Sequence, residues 1–256
     1  MASVSLTQAQ SYVESLILPP PPASVLEEEG AATADYGFDV NKDQASVVGS
    51  TVVGFIKGVT KIHRTDLVNS AMLAQLAATR SVADPNDLEA WYQRYFEVLT
   101  NIGWVIQDRQ FNTFQQDGHE LDVHQAVLKI ASGIMGPKAV DLVKATLEQL
   151  KPGPGQRLWA RIFSQRSQVA NSARFQIALA EEDGKDDFLV RLMAFGLQAK
   201  STLTEVVFTR FRTADVALRY ARSQVTINPT VMNGIREQVA RKIVSHSSDY
   251  VASLDI

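Results

Sequence analysis

The sequence predicts an α+β fold: a mainly helical N-terminal half, then an antiparallel four-stranded meander and a C-terminal helix. Three observations predict it. Apolar residues recur at three- and four-residue spacing before residue 150, as in Leu88, Trp91, Tyr92, Tyr95, Leu99 and Ile102. Beyond Pro152-Gly153-Pro154-Gly155, the strongest break in the chain, the period changes to two, with Phe175, Ile177 and Leu179 on one side. Asn228-Pro229 then pairs a helix-capping residue with a proline suited to the first helical position.

Taken in order, residues 6–18 read as a short helix with Tyr12, Val13, Leu16 and Ile17 as its apolar side. Four prolines from Pro19 end it, since proline lacks the N–H and disfavours helix in the residue before it. With the acidic run Glu27-Glu28-Glu29, residues 1–44 read as an N-terminal arm and linker, followed by one globular domain over 45–256. Its helical part is 45–151 and its sheet part 157–256. Segment 45–59 carries a single charge, Lys57, and glycines at 49, 54 and 58, so it reads as a buried helix or, alternatively, as a membrane-active segment. Fifteen residues are fewer than the ~20 a spanning helix requires.

A second helix is expected over 65–79, capped by Thr65. A third is expected from Asp84, with Pro85 at its first position, to Gly103. Residues 104–114 read as extended, ending at the Asp117-Gly118 turn. Asp122 and Gln125 have capping-box spacing for a helix through Ile134, and Gly136-Pro137 opens another to Leu150. The meander is then Arg174–Glu182, Phe188–Gln198, Thr204–Arg212 and Ala217–Ile227, with the last helix running to about His246.

The composition narrows the function mainly by exclusion. The 256 residues include 45% hydrophobic and 21% charged side chains, within the range of folded domains. There is no cysteine, which removes disulfides, thiolate nucleophiles and sulfur-ligated metal sites. No P-loop, dinucleotide-binding or serine-hydrolase motif is present, which points away from an enzyme. No cofactor is called for. No basic n-region followed by an apolar run occurs near the start, so the expected location is cytoplasmic, or exported without a cleavable signal peptide.

The formal net charge is −3, but its distribution is uneven. Residues 1–156 carry 11 basic and 18 acidic side chains, whereas residues 157–222 carry 11 and 7, nine of the bases being arginine. Arg210, Arg212, Arg219 and Arg222 are expected to line one sheet face, where the guanidinium fork suits carboxylate or phosphate. With Tyr12 and Leu16 of the arm they form the candidate partner-binding set. The main reading is therefore a non-enzymatic interaction or assembly protein that binds a protein partner or itself. The alternative is a membrane-active, toxin-like effector that inserts residues 45–59, with Gly49, Gly54, Phe55, Ile56 and Gly58 as its key positions and anionic lipid as its partner. A third reading is a metal-dependent enzyme at His119, Glu120 and His124, where strand alternation would bring Glu120, Asp122 and His124 to one side. Nucleic acid ranks last at a sequence pI of about 5.8.

Overall fold

The computed structural model of the chain describes residues 4–20, 36–116, 118–151, 158–182, 188–203 and 206–254. The described helices are α1 (Leu6–Ser15), α2 (Lys61–Ser81), α3 (Leu88–Asn101), α4 (Val123–Ser132), α5 (Pro137–Gln149), α6 (Leu158–Ser167) and α7 (Pro229–Ile243). The strands are β1 (Gln44–Val48), β2 (Thr51–Phe55), β3 (Trp104–Ile106), β4 (Asn112–Thr113), β5 (Glu120–Asp122), β6 (Gln168–Val169), β7 (Ser172–Glu182), β8 (Phe188–Ala199), β9 (Arg210–Arg212), β10 (Val216–Ile227) and β11 (Val251–Leu254).

The α+β class holds, with helices and strands interleaved along the chain. A mixed sheet runs in the order β11-β1-β2-β7-β8-β10-β3, with β4 on β10 and β6 on β7. Every pairing in it is antiparallel except β2 with β7. Helices cover both faces. Side chains from α1, α2, α3 and α7 form one core with one face of the sheet, and those from α4, α5 and α6 form a second core with the other.

Local chemistry explains most of the boundaries. Ser5 closes a capping box with Gln8 at α1. Asp122 caps α4 by accepting from the Gln125 N–H, and Asn228 caps α7 by accepting from the Val231 N–H. Pro137 and Pro229 sit in the first turns of α5 and α7. The α2 helix is buried without interruption from Asp66 to Ala78, lying between the sheet and its neighbouring helices.

Four expectations are corrected. Segment 45–59 is the β1–β2 hairpin rather than a helix, so the N-terminal half is not mainly helical. Gly49, at φ +56°, opens the two-residue turn, a conformation disfavoured for a Cβ-bearing residue. The third meander strand leaves the sheet: β9 pairs with β5 in a separate two-stranded ribbon, and β8 pairs directly with β10. Thr60, not Thr65, caps α2, and Asp87, not Asp84, caps α3. Asp84 instead accepts from the Asn86 N–H, making a turn that precedes the helix. Helix α6 and strand β11 are additional elements. Pro21-Pro22, the Glu27–Glu29 run, Asp117, Pro152–Gly155 and Asp183-Gly184 lie outside the described residues.

Candidate functional site

The two faces of the sheet differ in chemistry. On the side of α2 and α3, buried polar side chains join helix to strand. Gln75 Nε2 donates to the Val48 carbonyl at 2.8 Å, and its Oε1 accepts from the Ser50 N–H at 2.8 Å. The Tyr92 hydroxyl donates to the Phe195 carbonyl at 2.7 Å and accepts from Gln176 Nε2 at 2.9 Å. Arg174 Nη1 donates to the Pro85 carbonyl at 3.0 Å, with its guanidinium 4.5 Å from the Trp91 ring. Burial pushes the Tyr92 phenol up and the Arg174 guanidinium down from their ordinary values.

The opposite face is an apolar surface. Ala45, Val47 and Val52 of the hairpin continue into Ala173, Phe175, Ile177 and Leu179 of β7. Met193, Phe195, Leu197 and Ala199 of β8 and Leu218 of β10 complete it. Phe175 and Phe195 are cross-strand partners and stack at 4.7 Å. Among the described residues polar groups border it toward one end, where Arg191 Nη1 meets Glu181 at 2.9 Å, Arg191 Nε donates to the Ile134 carbonyl, and Arg222 of β10 lies against Gly133.

Amphipathic helices cover this face. Helix α4 buries Val123, Ala126, Val127 and Ile130, and α5 buries Ala139, Leu142, Val143 and Leu147. Among the described residues, no side-chain hydrogen bond joins α4 or α5 to a strand of the large sheet. Their polar ties lie at the margins: Arg191 of β8 donates to the Ile134 carbonyl between the two helices at 2.7 Å, Lys138 Nζ meets Asp43 at 3.1 Å just before β1, and Arg210 meets Asp122 at 3.1 Å. Burial alone would raise the Asp43 carboxyl, but the Lys57 N–H and the Lys138 ammonium outweigh it and hold the group below the ordinary carboxylate value.

The candidate membrane-active residues are all placed in or beside the hairpin. Gly54 faces α5, and a Cβ there would meet Leu179 Cδ1 at 2.9 Å and Leu142 Cδ2 at 3.5 Å. Phe55 is fully buried on the other side of the hairpin, with the Arg64 guanidinium 5.1 Å from its ring centre. Ile56 packs against the apolar core of α4–α6. Gly58, at φ +102°, turns the chain toward α2 and donates its N–H to the Val40 carbonyl.

The four arginines do not share a face. Arg219 and Arg222 differ in parity along β10, so they project to opposite sides. Arg219 lies 5.8 Å from the Phe111 ring and 3.7 Å from Glu89, while Arg222 sits against Gly133 at the end of α4. Arg210 and Arg212 belong to β9, opposite Asp122 and Glu120. Leu16 is buried, and Tyr12 lies under the Arg94 guanidinium at 5.7 Å, its phenol pushed up to about 12 by burial against the opposing pull of Arg94. Helix α1 packs on α7, where Gly234 lets Leu6 approach the backbone and Gln10 donates to the Gly234 carbonyl.

His119, Glu120 and His124 do not converge, and no group of three metal-ligating side chains occurs among the described residues. The strand ends at Asp122 and the chain turns at once into α4, which breaks the alternation that would have aligned His124 with Glu120. His124 is buried against Phe208, its Nε2 3.6 Å from Glu148, while His119 and Glu120 are exposed.

A groove of about 840 Å³ opens on the α3 side of the sheet. Its walls are the first turns of α3 and the segment at 109–111, and its floor is Gly196 of β8 beside Arg219 of β10. Sequence reasoning missed it because its lining comes from four segments distant in sequence.

No family model and no curated protein matches the chain. Among solved structures it is similar to a delta-endotoxin, at 11% identity and TM-score 0.37, over 82% of this chain and 89% of that one. The Evf virulence factor is similar at 9% identity and TM-score 0.38, over 77% and 82%. The activated Cyt2Ba monomer from Bacillus thuringiensis subsp. israelensis is similar at 9% identity and TM-score 0.34, over 58% and 85%. At TM-scores this low, such likenesses establish neither a shared family nor a shared activity.

Proposed function

We propose that the protein is a membrane-active effector whose α4–α5 layer parts from the sheet at a lipid surface and exposes the apolar face beneath it. The asymmetry between the two faces carries this reading. One helical layer is fastened to the sheet by buried hydrogen bonds through Gln75, Tyr92 and Arg174, whereas α4 and α5 rest on apolar side chains. In water the hydrophobic effect holds that second layer in place, at roughly 25 cal/mol per Å² of apolar surface covered. Against lipid tails that driving force is lost, because acyl chains offer the sheet the same apolar environment that the helices do.

No described helix is long and apolar enough to cross a membrane. In this reading the element that meets the lipid is the sheet. Strands β7 and β8 have 11 and 12 residues, within reach of the roughly 9–11 that a spanning strand uses. The apolar stretch from Ala173 to Leu179 rises ~20 Å at ~3.3 Å per residue, most of the ~25 Å apolar band of a membrane barrel. Arg174 and Gln176 project from the other face of β7, where hydrogen bonds to the Pro85 carbonyl and the Tyr92 hydroxyl keep the α3 side fastened. Segment 45–59 takes part as sheet, through Val47 and Val52 of the hairpin. Released α4 and α5 would lie in the interface with their apolar sides down.

Dye release from phosphatidylcholine vesicles, with and without an anionic lipid, tests the proposal. Concentration-dependent release is expected. Absence of both release and liposome binding in either composition would contradict it.

A further inference from the structure

The groove beside α3 has a chemistry unlike that of the apolar face. Acidic Asp87 and Glu89 balance basic Arg109 and Arg219 in its lining, which disfavours a strongly charged occupant of either sign. Three side-chain amides, Gln93 from α3, Gln110 from the 109–111 segment and Gln198 from β8, line it without an intramolecular hydrogen bond from their amide groups. Each amide offers an acceptor and two donors. Together they match vicinal hydroxyl groups, which both donate and accept.

The remaining surface fits the same ligand. Phe111 is only partly buried, between the Tyr92 ring at 4.9 Å and the Arg219 guanidinium at 5.8 Å, and the exposed part of its ring can meet the C–H face of a pyranose once the half-exposed Arg219 side chain swings aside. Gly196 lets the first turn of α3 rest close on the floor, since a Cβ there would meet Leu88 Cδ1 at 3.3 Å. The rim is built before any ligand arrives. Asn86 is held by Ser172 and Asp84, and Asp87 accepts from the Ala90 N–H as the cap of α3. The volume falls in the range of roughly 300–1,000 Å³ typical of small-ligand sites.

From these observations we infer that the groove is a binding site for a neutral oligosaccharide, contacted through Gln93, Gln110, Gln198 and Phe111. The inference goes beyond the membrane reading and does not depend on it. The sugar is either free or carried on a membrane glycolipid, and the two sources share one recognition chemistry.

Saturation-transfer NMR on the full chain, with maltotriose, cellotriose, chitotriose and N-acetyllactosamine as soluble probes, forms the first arm. Flotation with vesicles bearing glucosylceramide or lactosylceramide, against sugar-free vesicles, forms the second. Saturation of ring protons of at least one probe, or selective flotation with a glycolipid, is expected. Phe111→Ala and Gln198→Ala should each weaken that binding about tenfold or more, and the exposed Gln198→Ala variant should keep its thermal midpoint. No signal in either arm, or binding that both variants retain in full, would overturn the inference. Leakage of sugar-free vesicles should be unchanged in both variants. Sugar binding lost with leakage intact, or leakage absent with sugar binding intact, therefore tells the failure of one reading from that of the other.

Discussion

Tyr92 donates its hydroxyl proton to the carbonyl of Phe195 across 2.7 Å, inside the contact between α3 and the sheet. The Phe195 side chain points the other way, into the apolar face under α4–α6. One residue of β8 therefore takes part in both contacts, polar through its backbone and apolar through its ring. Tyr92→Phe leaves that carbonyl and Gln176 Nε2 without their partner. The expected cost is about 1–3 kcal/mol, seen as a lower thermal midpoint, with vesicle leakage retained. A midpoint unchanged from wild type would show that this bond does not fasten α3.

The same asymmetry predicts a gradient of local stability. Amide hydrogens of α4 and α5 should exchange faster than those of α2 and α3, because opening the outer layer breaks fewer buried polar contacts, chiefly the one from Arg191 to the Ile134 carbonyl. Hydrogen exchange followed by mass spectrometry reads this directly. Equal protection of the two layers would argue against independent opening.

Acid should loosen the clasp between α5 and the start of β1. Asp43 has its carboxyl held below the ordinary value of about 3.9, so the stability it supplies is present above that value and is lost as pH falls through its lower folded value. The window therefore lies below about pH 4. Asp43→Asn should flatten the fall of the thermal midpoint in that window and raise leakage at neutral pH. A variant that follows the wild-type curve would remove Asp43 from the account.

Gly54→Leu provides a test by overpacking. Because Gly54 already lies against Leu142 of α5 and Leu179 of β7, a larger side chain forces those neighbours apart at roughly 1–3 kcal/mol. The variant should be less stable and leak faster. A helical 45–59 segment packed through its glycines predicts the opposite, a loss of activity.

Much of the fold was legible because local signals and tertiary structure agree. Asn228-Pro229, Gly136-Pro137 and Asp122 mark helix starts by their own backbone chemistry. The 45–59 hairpin was obscured because both its faces are covered, so its apolar residues show no period of two. Gly49-Ser50 between Val48 and Thr51 was the available sign of a two-residue turn. Strand β9 was misplaced because nothing local in residues 204–212 specifies which sheet they join. Arg219 and Arg222 were read as one surface although three residues apart on a strand, a spacing that sends them to opposite faces. The groove depends on distant segments meeting, which no local pattern encodes.

The most direct test of layer opening is a reversible tether across the clasp. The chain has no cysteine, so Asp43→Cys with Lys138→Cys introduces one defined pair, at positions whose native side chains meet at 3.1 Å. The pair is bridged by a bifunctional maleimide with a reducible linker, and dye release from phosphatidylcholine vesicles is followed before and after reduction. The bridged protein should release no dye, and reduction should restore release to the level of the unbridged variant. Release by the bridged protein at the unbridged rate would contradict opening of the α4–α5 layer.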